Sequence, residues 1–201
     1  MYANVSYRES ITEKLIFYGG YSYSNKDDDL QLGTYFLNTK EDAHIGKAKL
    51  KYLFGELSNI RFGGELQIMN FEDSITQVEN YYASFIESDL YLTKRLVFRI
   101  GLRAEYSKMI DEYTIAPRAS LAYKAGSTGQ FSLAYGKFYQ RPERQYLNFY
   151  KPEGYEEASH YILNYQIIED DRSFRVETYY KTYDKLICFE PELSLDGLGD
   201  A

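Results

Sequence analysis

The sequence is short of cysteine, proline and tryptophan: it holds 1 Cys, 4 Pro and no Trp in 201 residues. One thiol can form no intrachain disulfide. So few prolines leave long stretches free of breaks in backbone hydrogen bonding. No run approaches 18 apolar residues, which excludes a membrane-spanning helix. Positive charge is the minority, with 23 Lys+Arg against 30 Asp+Glu and a net charge of −7. That balance argues against a protein that binds a phosphate backbone, so no nucleic-acid partner is expected. The opening residues, Met1 to Arg8, show no basic region followed by an apolar run, so no signal peptide is expected there. What is plentiful is aromatic: 23 Tyr and 12 Phe, in a chain that is 44% hydrophobic. That composition suits a folded, strand-rich chain.

The apolar residues recur with a period of two. Leu96, Phe98, Ile100, Leu102, Ala104 and Tyr106 alternate with Val97, Arg99, Gly101, Arg103 and Glu105. A helix would scatter the first set around its axis, whereas a strand puts all six on one side. Similar rows run through Leu15–Tyr23, Ala48–Phe54, Ile60–Ile68, Phe131–Tyr135, Tyr161–Ile167 and Phe174–Tyr180. The stretch 81–93 is strand-like, but its apolar face is ambiguous. The pattern predicts ten strands, near 2–8, 13–24, 44–54, 59–71, 81–93, 96–107, 115–124, 130–139, 159–169 and 172–184. Several reach the roughly 9–11 residues a tilted strand needs to cross a bilayer. No helical segment intervenes, so the fold class is all-β, an antiparallel meander.

The connections predicted between these strands alternate. They run short (9–12), long (25–43), short (55–58), long (72–80), short (94–95), long (108–114), short (125–129), long (140–158) and short (170–171). A soluble meander has no reason to alternate. A transmembrane β-barrel has one, with tight turns at its periplasmic rim and longer loops outside. On that reading the first strand starts, and the tenth ends, at the extracellular rim. The chain is then expected to be a partial transmembrane β-barrel, a segment of a longer one.

Several motifs carry a family resemblance. Gly101-Leu102-Arg103-Ala104-Glu105-Tyr106 resembles a strand common in the barrels of TonB-dependent outer-membrane receptors. Pro117-Arg118-Ala119-Ser120-Leu121-Ala122-Tyr123 is similar to the strand that follows it. Ala134-Tyr135-Gly136-Lys137-Phe138-Tyr139-Gln140-Arg141-Pro142, Glu157-Ala158-Ser159-His160-Tyr161 and the stretch Arg175–Asp184 continue the resemblance in order. The specific part covers roughly residues 80–190, corresponding to the C-terminal half of such a barrel. The resemblance implies a 22-stranded barrel in the Gram-negative outer membrane, with a plug domain in the lumen that couples to TonB. It also implies active import of a large ligand of the iron-chelate, cobalamin or glycan type. No plug domain is read within residues 1–201, so lipid, the plug of a parent chain and TonB through that plug are the expected partners.

Candidate functional residues follow from the alternation. Arg61, Glu65, Arg99, Arg103, Glu105, Arg118, Arg175 and Glu177, together with Lys124 and Lys181, fall on the polar face. Facing lipid would cost an Arg or Lys roughly 2–4 kcal/mol at the midplane, so these residues should line the lumen. They are either a plug-docking surface or a wet wall of alternating charges. In the loop 140–158, Gln140, Arg141, Arg144, Tyr146, Asn148 and Tyr150 suit a sugar or chelate, because Tyr offers a flat face and a hydroxyl. They suit a loop folded over an empty lumen equally. Asp27-Asp28-Asp29 lacks calcium-loop spacing and reads as solvated loop. His44 and His160 have no partner at metal-ligand spacing, and nothing near Cys188 would activate it. No catalytic, cofactor or metal site is expected, and the chain is read as no enzyme. The alternatives are a soluble all-β binding module and an outer-membrane enzyme barrel. The latter lacks a G-x-S-x-G pattern beside His160. Tyr52, Tyr106, Tyr123 and Tyr139 near strand ends suit an interfacial girdle.

Overall fold

The computed structural model describes residues 1–33, 35–72, 76–142 and 154–186. The strands are β1 (Tyr2–Ser10), β2 (Leu15–Leu32), β3 (Tyr35–Phe54), β4 (Ser58–Glu72), β5 (Gln77–Thr93), β6 (Leu96–Ser107), β7 (Glu112–Ala125), β8 (Gly129–Gln140), β9 (Glu156–Glu169) and β10 (Arg172–Asp184). They form one ten-stranded antiparallel sheet in chain order. β1 and β10 each pair on one side only, so the sheet is open.

Register follows the alternation. Leu96, Phe98, Ile100, Leu102 and Ala104 stand opposite Tyr123, Leu121, Ala119, Pro117 and Ile115, joining two apolar rows into one face. Arg99 and Arg103 stand opposite Ser120 and Ala116 on the other face. Every buried strand side chain, among them Asn59, Glu79, Asp89, Ser107 and Asn164, lies on the polar face. On the apolar face Leu66, Ile86, Ile100, Leu102, Leu133 and Leu163 are exposed. A single sheet with no second layer can crowd one face only by curving, so the polar face is the concave one. The ambiguous strand is resolved by its neighbours. Tyr81, Ala83, Phe85, Glu87 and Asp89 point inward beside Ser107, Glu105, Arg103, Gly101 and Arg99, leaving Tyr82, Ile86 and Leu90 outward.

One end of the sheet carries tight turns. Gly55 and Gly126 take φ of 63° and 69° there, and Asp170 takes 46°. Such left-handed positions close short hairpins and favour Gly or Asp. At the opposite end the structure differs from the loop reading. Residues 25–43 are mostly strand: β2 and β3 run on to Leu32 and from Tyr35. Beyond Lys40, which pairs with Glu72, this hairpin pairs with no third strand among the described residues and forms a two-stranded ribbon. In the Asp run, Asp27 and Asp29 find cross-strand donors, while Asp28 pairs with Lys26 on its own strand. Asn38 Nδ2 donates to Asp29 at 2.6 Å and to Asp27 at 3.3 Å, and Lys40 sits 3.8 Å from Asp27. The segments 72–80 and 108–114 likewise shorten, with β5 starting at Gln77 and β7 at Glu112.

Candidate functional site: the concave wall and its rim

Two ion-pair clusters dominate the wall. In the first, Asn59, Asp89 and Arg99 share one lateral row, with Arg61 and Glu87 in the next. Asp89 accepts from Arg99 Nε at 2.5 Å, Arg61 Nη2 at 2.9 Å and Asn59 Nδ2 at 3.2 Å. Arg61 Nη2 also lies 2.6 Å from Glu87. Gly101 makes room, since a Cβ there would meet the Glu87 side chain at 3.2 Å. In the second cluster, Arg103 pairs with Glu105 and donates to the Tyr81 hydroxyl at 3.2 Å. Glu65 lies 3.8 Å from Arg103 and 3.4 Å from Lys47. In a setting drier than bulk water such charges must be matched one against another.

Elsewhere the wall is less tightly paired. Arg118 lies over the Phe138 ring at 4.9 Å. Arg175 pairs with Glu177, which also accepts from Asn164 Nδ2 at 3.3 Å. Thus Arg61, Glu65, Arg99, Arg103, Glu105, Arg118, Arg175 and Glu177 share one face. They form separate clusters on it and not one constellation.

The rim opposite the tight turns holds a hollow of about 490 Å³, lined by β4, β5, β6, the end of β8 and residues 141, 142 and 155. Here Arg141, one residue past β8, lies against the concave face. Arg141 Nη1 donates to Glu79 Oε1 at 3.2 Å, and its guanidinium lies 4.4 Å from the centre of the Tyr81 ring. Ser107 Oγ donates to the same carboxylate at 2.7 Å. Glu79 is 2% exposed, so its charge is matched by Arg141 and by the Ser107 hydroxyl. Tyr155 is buried beside it with its hydroxyl unpartnered, and burial pushes that phenol up from its ordinary value. Gly154, at a φ of 130°, packs where a Cβ would strike the Glu112 carboxylate.

Of the loop residues expected to meet a ligand, Gln140 ends β8 and Arg141 reaches the rim hollow. Arg144, Tyr146, Asn148 and Tyr150 lie outside the described residues, as does Cys188. His160 points inward with Phe138 beside it, ring centres 4.6 Å apart. His44 points outward, its Nδ1 2.7 Å from the Tyr21 hydroxyl. Tyr52 and Tyr123 are exposed on the convex face near the tight turns. Tyr106 stacks on Tyr113 at 4.4 Å near the opposite rim. Tyr139 departs from that belt: its ring stands edge-on to Tyr155 and lines the rim hollow. The alternation did not single out Glu79, Tyr81, Ser107 or Tyr155. The only sequence sign of Glu79 is a carboxylate on the inward row of β5, a row that could not be chosen without its neighbours.

A sheet with a charged concave face and an apolar convex face has the two-faced pattern of a membrane β-barrel wall. Solved structures give that class a closer match. The ferric enterobactin receptor PfeA of Pseudomonas aeruginosa, as a mutant, superposes with a TM-score of 0.75 at 12% identity, covering 90% of this chain and 34% of that one. The siderophore receptor PirA of the same organism gives 0.67 at 10%, covering 90% and 46%. The ferric yersiniabactin uptake receptor FyuA of Yersinia pestis gives 0.65 at 12%, covering 90% and 35%. The fold is therefore a partial barrel of the TonB-dependent siderophore-receptor type. The chain spans between a third and a half of the length of these receptors. No family model and no curated protein matches the sequence.

Proposed function

We propose that this chain is the barrel segment of an outer-membrane active-transport receptor. In the parent protein a separate plug fills the lumen, couples to TonB and releases a large ligand inward. The observation that carries this reading is the wall itself: charge clusters on a concave face, an exposed apolar convex face, and a superposition on receptor barrels over 90% of the chain. Arg61, Glu65, Arg99, Arg103, Glu105, Arg118, Arg175 and Glu177 then face the plug. Gln140, Arg141, Arg144, Tyr146, Asn148 and Tyr150 meet the ligand from the loop above. Among iron chelates, cobalamin and glycans, an iron chelate ranks first, because the similar structures include receptors for ferric enterobactin and ferric yersiniabactin.

The test uses the host cell. Antibody against this chain should find it in the outer-membrane fraction. Disrupting its gene should abolish growth on one iron chelate, and disrupting the TonB gene should abolish the same growth. Recovery in the soluble fraction would overturn the membrane reading. Uptake that survives loss of TonB would overturn the coupling.

A further inference from the structure

We infer that the wall of β1–β3 is a docking surface for an acidic protein surface lying inside the barrel. This rests on the barrel reading above and adds the sign of the partner and where it seats. Register brings Arg8, Tyr18 and Lys49 side by side across three strands, with Lys51 and Lys47 in the flanking rows. The Arg8 guanidinium lies 5.3 Å, and the Lys49 ammonium 4.3 Å, from the centre of the one Tyr18 ring. Two like charges thus flank a single aromatic ring, one from each neighbouring strand. No carboxylate among the described residues forms an ion pair with Arg8, Lys49 or Lys51. Glu65, which stands opposite Lys47, is already shared between Lys47 and Arg103. This contrasts with β4–β6, where Arg61, Arg99 and Arg103 each hold an acid.

Beside Lys49 is a hollow of about 280 Å³, bounded by Tyr18, Lys47, Lys49, Glu65 and Phe85. Its floor is low because the inward residue of β2 next to Lys47 is Gly20. The inward residue of β4 next to Lys49 is Gly63. At Gly63 a Cβ would collide with the Ala48 carbonyl oxygen and stand 2.9 Å from the Phe85 ring. Phe85 thus fills the space over Gly63, and the room in the hollow lies over Gly20, where an added Cβ would meet only the Val5 carbonyl oxygen, at 3.7 Å. An occupant that covers Arg8, Lys49 and Lys51 removes their water, and that is tolerable only if it brings carboxylates. An apolar or basic surface would leave Lys49 and Lys51 bare. Charge complementarity thus selects an Asp- or Glu-bearing surface, seated with a carboxylate between Lys47 and Lys49.

The test places a photoreactive side chain in the hollow without touching its charges: Phe85→p-benzoylphenylalanine, in the full protein in its host. After irradiation the joined peptides are sequenced by mass spectrometry. The expected partner is a polypeptide segment with Asp or Glu within a few residues of the joined site. Combining the probe with Lys49→Glu and Lys51→Glu should cut the yield roughly tenfold, while Lys49→Arg and Lys51→Arg should keep it. Joining to a segment without acids, to lipid, or to nothing would overturn the inference. So would a yield indifferent to charge reversal. Fractionating the same cells separates the two readings. Protein absent from the outer membrane fails the barrel proposal, whereas protein present there but unjoined fails only this one.

Discussion

At the scale of single residues, the wall distinguishes charges held in a network from charges lying on a surface. Asp89 is 8% exposed and accepts from three donors, two of them guanidinium groups. Asp89→Asn leaves Arg61 and Arg99 facing each other with one acid, Glu87, between them, and should lower unfolding stability by about 3 kcal/mol. Glu177 has a side chain 38% exposed and pairs with an Arg175 that is more exposed still. Glu177→Gln should leave the urea midpoint unchanged within error, as exposed pairs do. A second contrast concerns glycine. Gly63→Val drives a side chain into the Ala48 carbonyl and the Phe85 ring and should cost about 1–3 kcal/mol. Gly46→Ala meets nothing within 4 Å and should be neutral. Urea titration of the four variants, purified from membranes, checks both contrasts. Equal midpoints for Asp89→Asn and Glu177→Gln would contradict the network.

At the scale of elements, strands were legible wherever one row was purely apolar, as in Leu96–Tyr106. The stretch 81–93 resisted because both its rows mix aromatic with polar residues. Tyr81, Phe85 and Asp89 alternate with Tyr82, Ser84 and Ser88, and only pairing with β4 and β6 chooses between them. The reading of 25–43 as loop failed for a different reason. Asp and Asn are turn formers in isolation, but here Asn25, Asp27, Asp29, Asn38 and Asp42 find partners on the facing strand. At the rim Arg141 was legible as a loop residue, but its pairing with Glu79 was not, since the two meet across 62 residues of chain with no local pattern to announce it. The ribbon beyond Lys40 yields a prediction. Among the described residues it pairs with no third strand, so its hydrogen bonds depend on the side-chain ladder. Asn38→Asp replaces the amide that bridges Asp27 and Asp29 with a third carboxylate. Amide exchange of residues 27–40 should quicken roughly tenfold, while β6 and β7 stay unchanged. Uniform protection across the ribbon in the variant would show that the ladder does not hold it.

At the scale of the whole molecule, the question is what the convex face touches. Leu66, Ile86, Ile100, Leu102, Leu133 and Leu163 form an apolar band across five strands, each residue between 40% and 56% exposed. Water in contact with so much apolar surface is unfavourable, and a monomeric soluble protein rarely exposes so continuous a patch. Lipid removes that penalty, and it also makes a charge in the band costly. Leu102 sits near the middle of β6, with Pro117 and Ile86 opposite it on either side. Leu102→Arg should therefore cost about 2–4 kcal/mol in a bilayer, and it should cost less for residues nearer either rim. In a sheet whose convex face meets water, the same substitution at a residue 45% exposed should be neutral or even improve solubility. Unfolding in lipid vesicles, compared among Leu102→Arg, Leu133→Arg and the rim substitution Tyr123→Arg, reads out the depth profile. A cost that peaks at Leu102 and Leu133 and fades at Tyr123 places lipid against the band. A flat profile means that the convex face is wet or covered by protein. In that case the apolar alternation would have to be explained by a partner and not by the membrane.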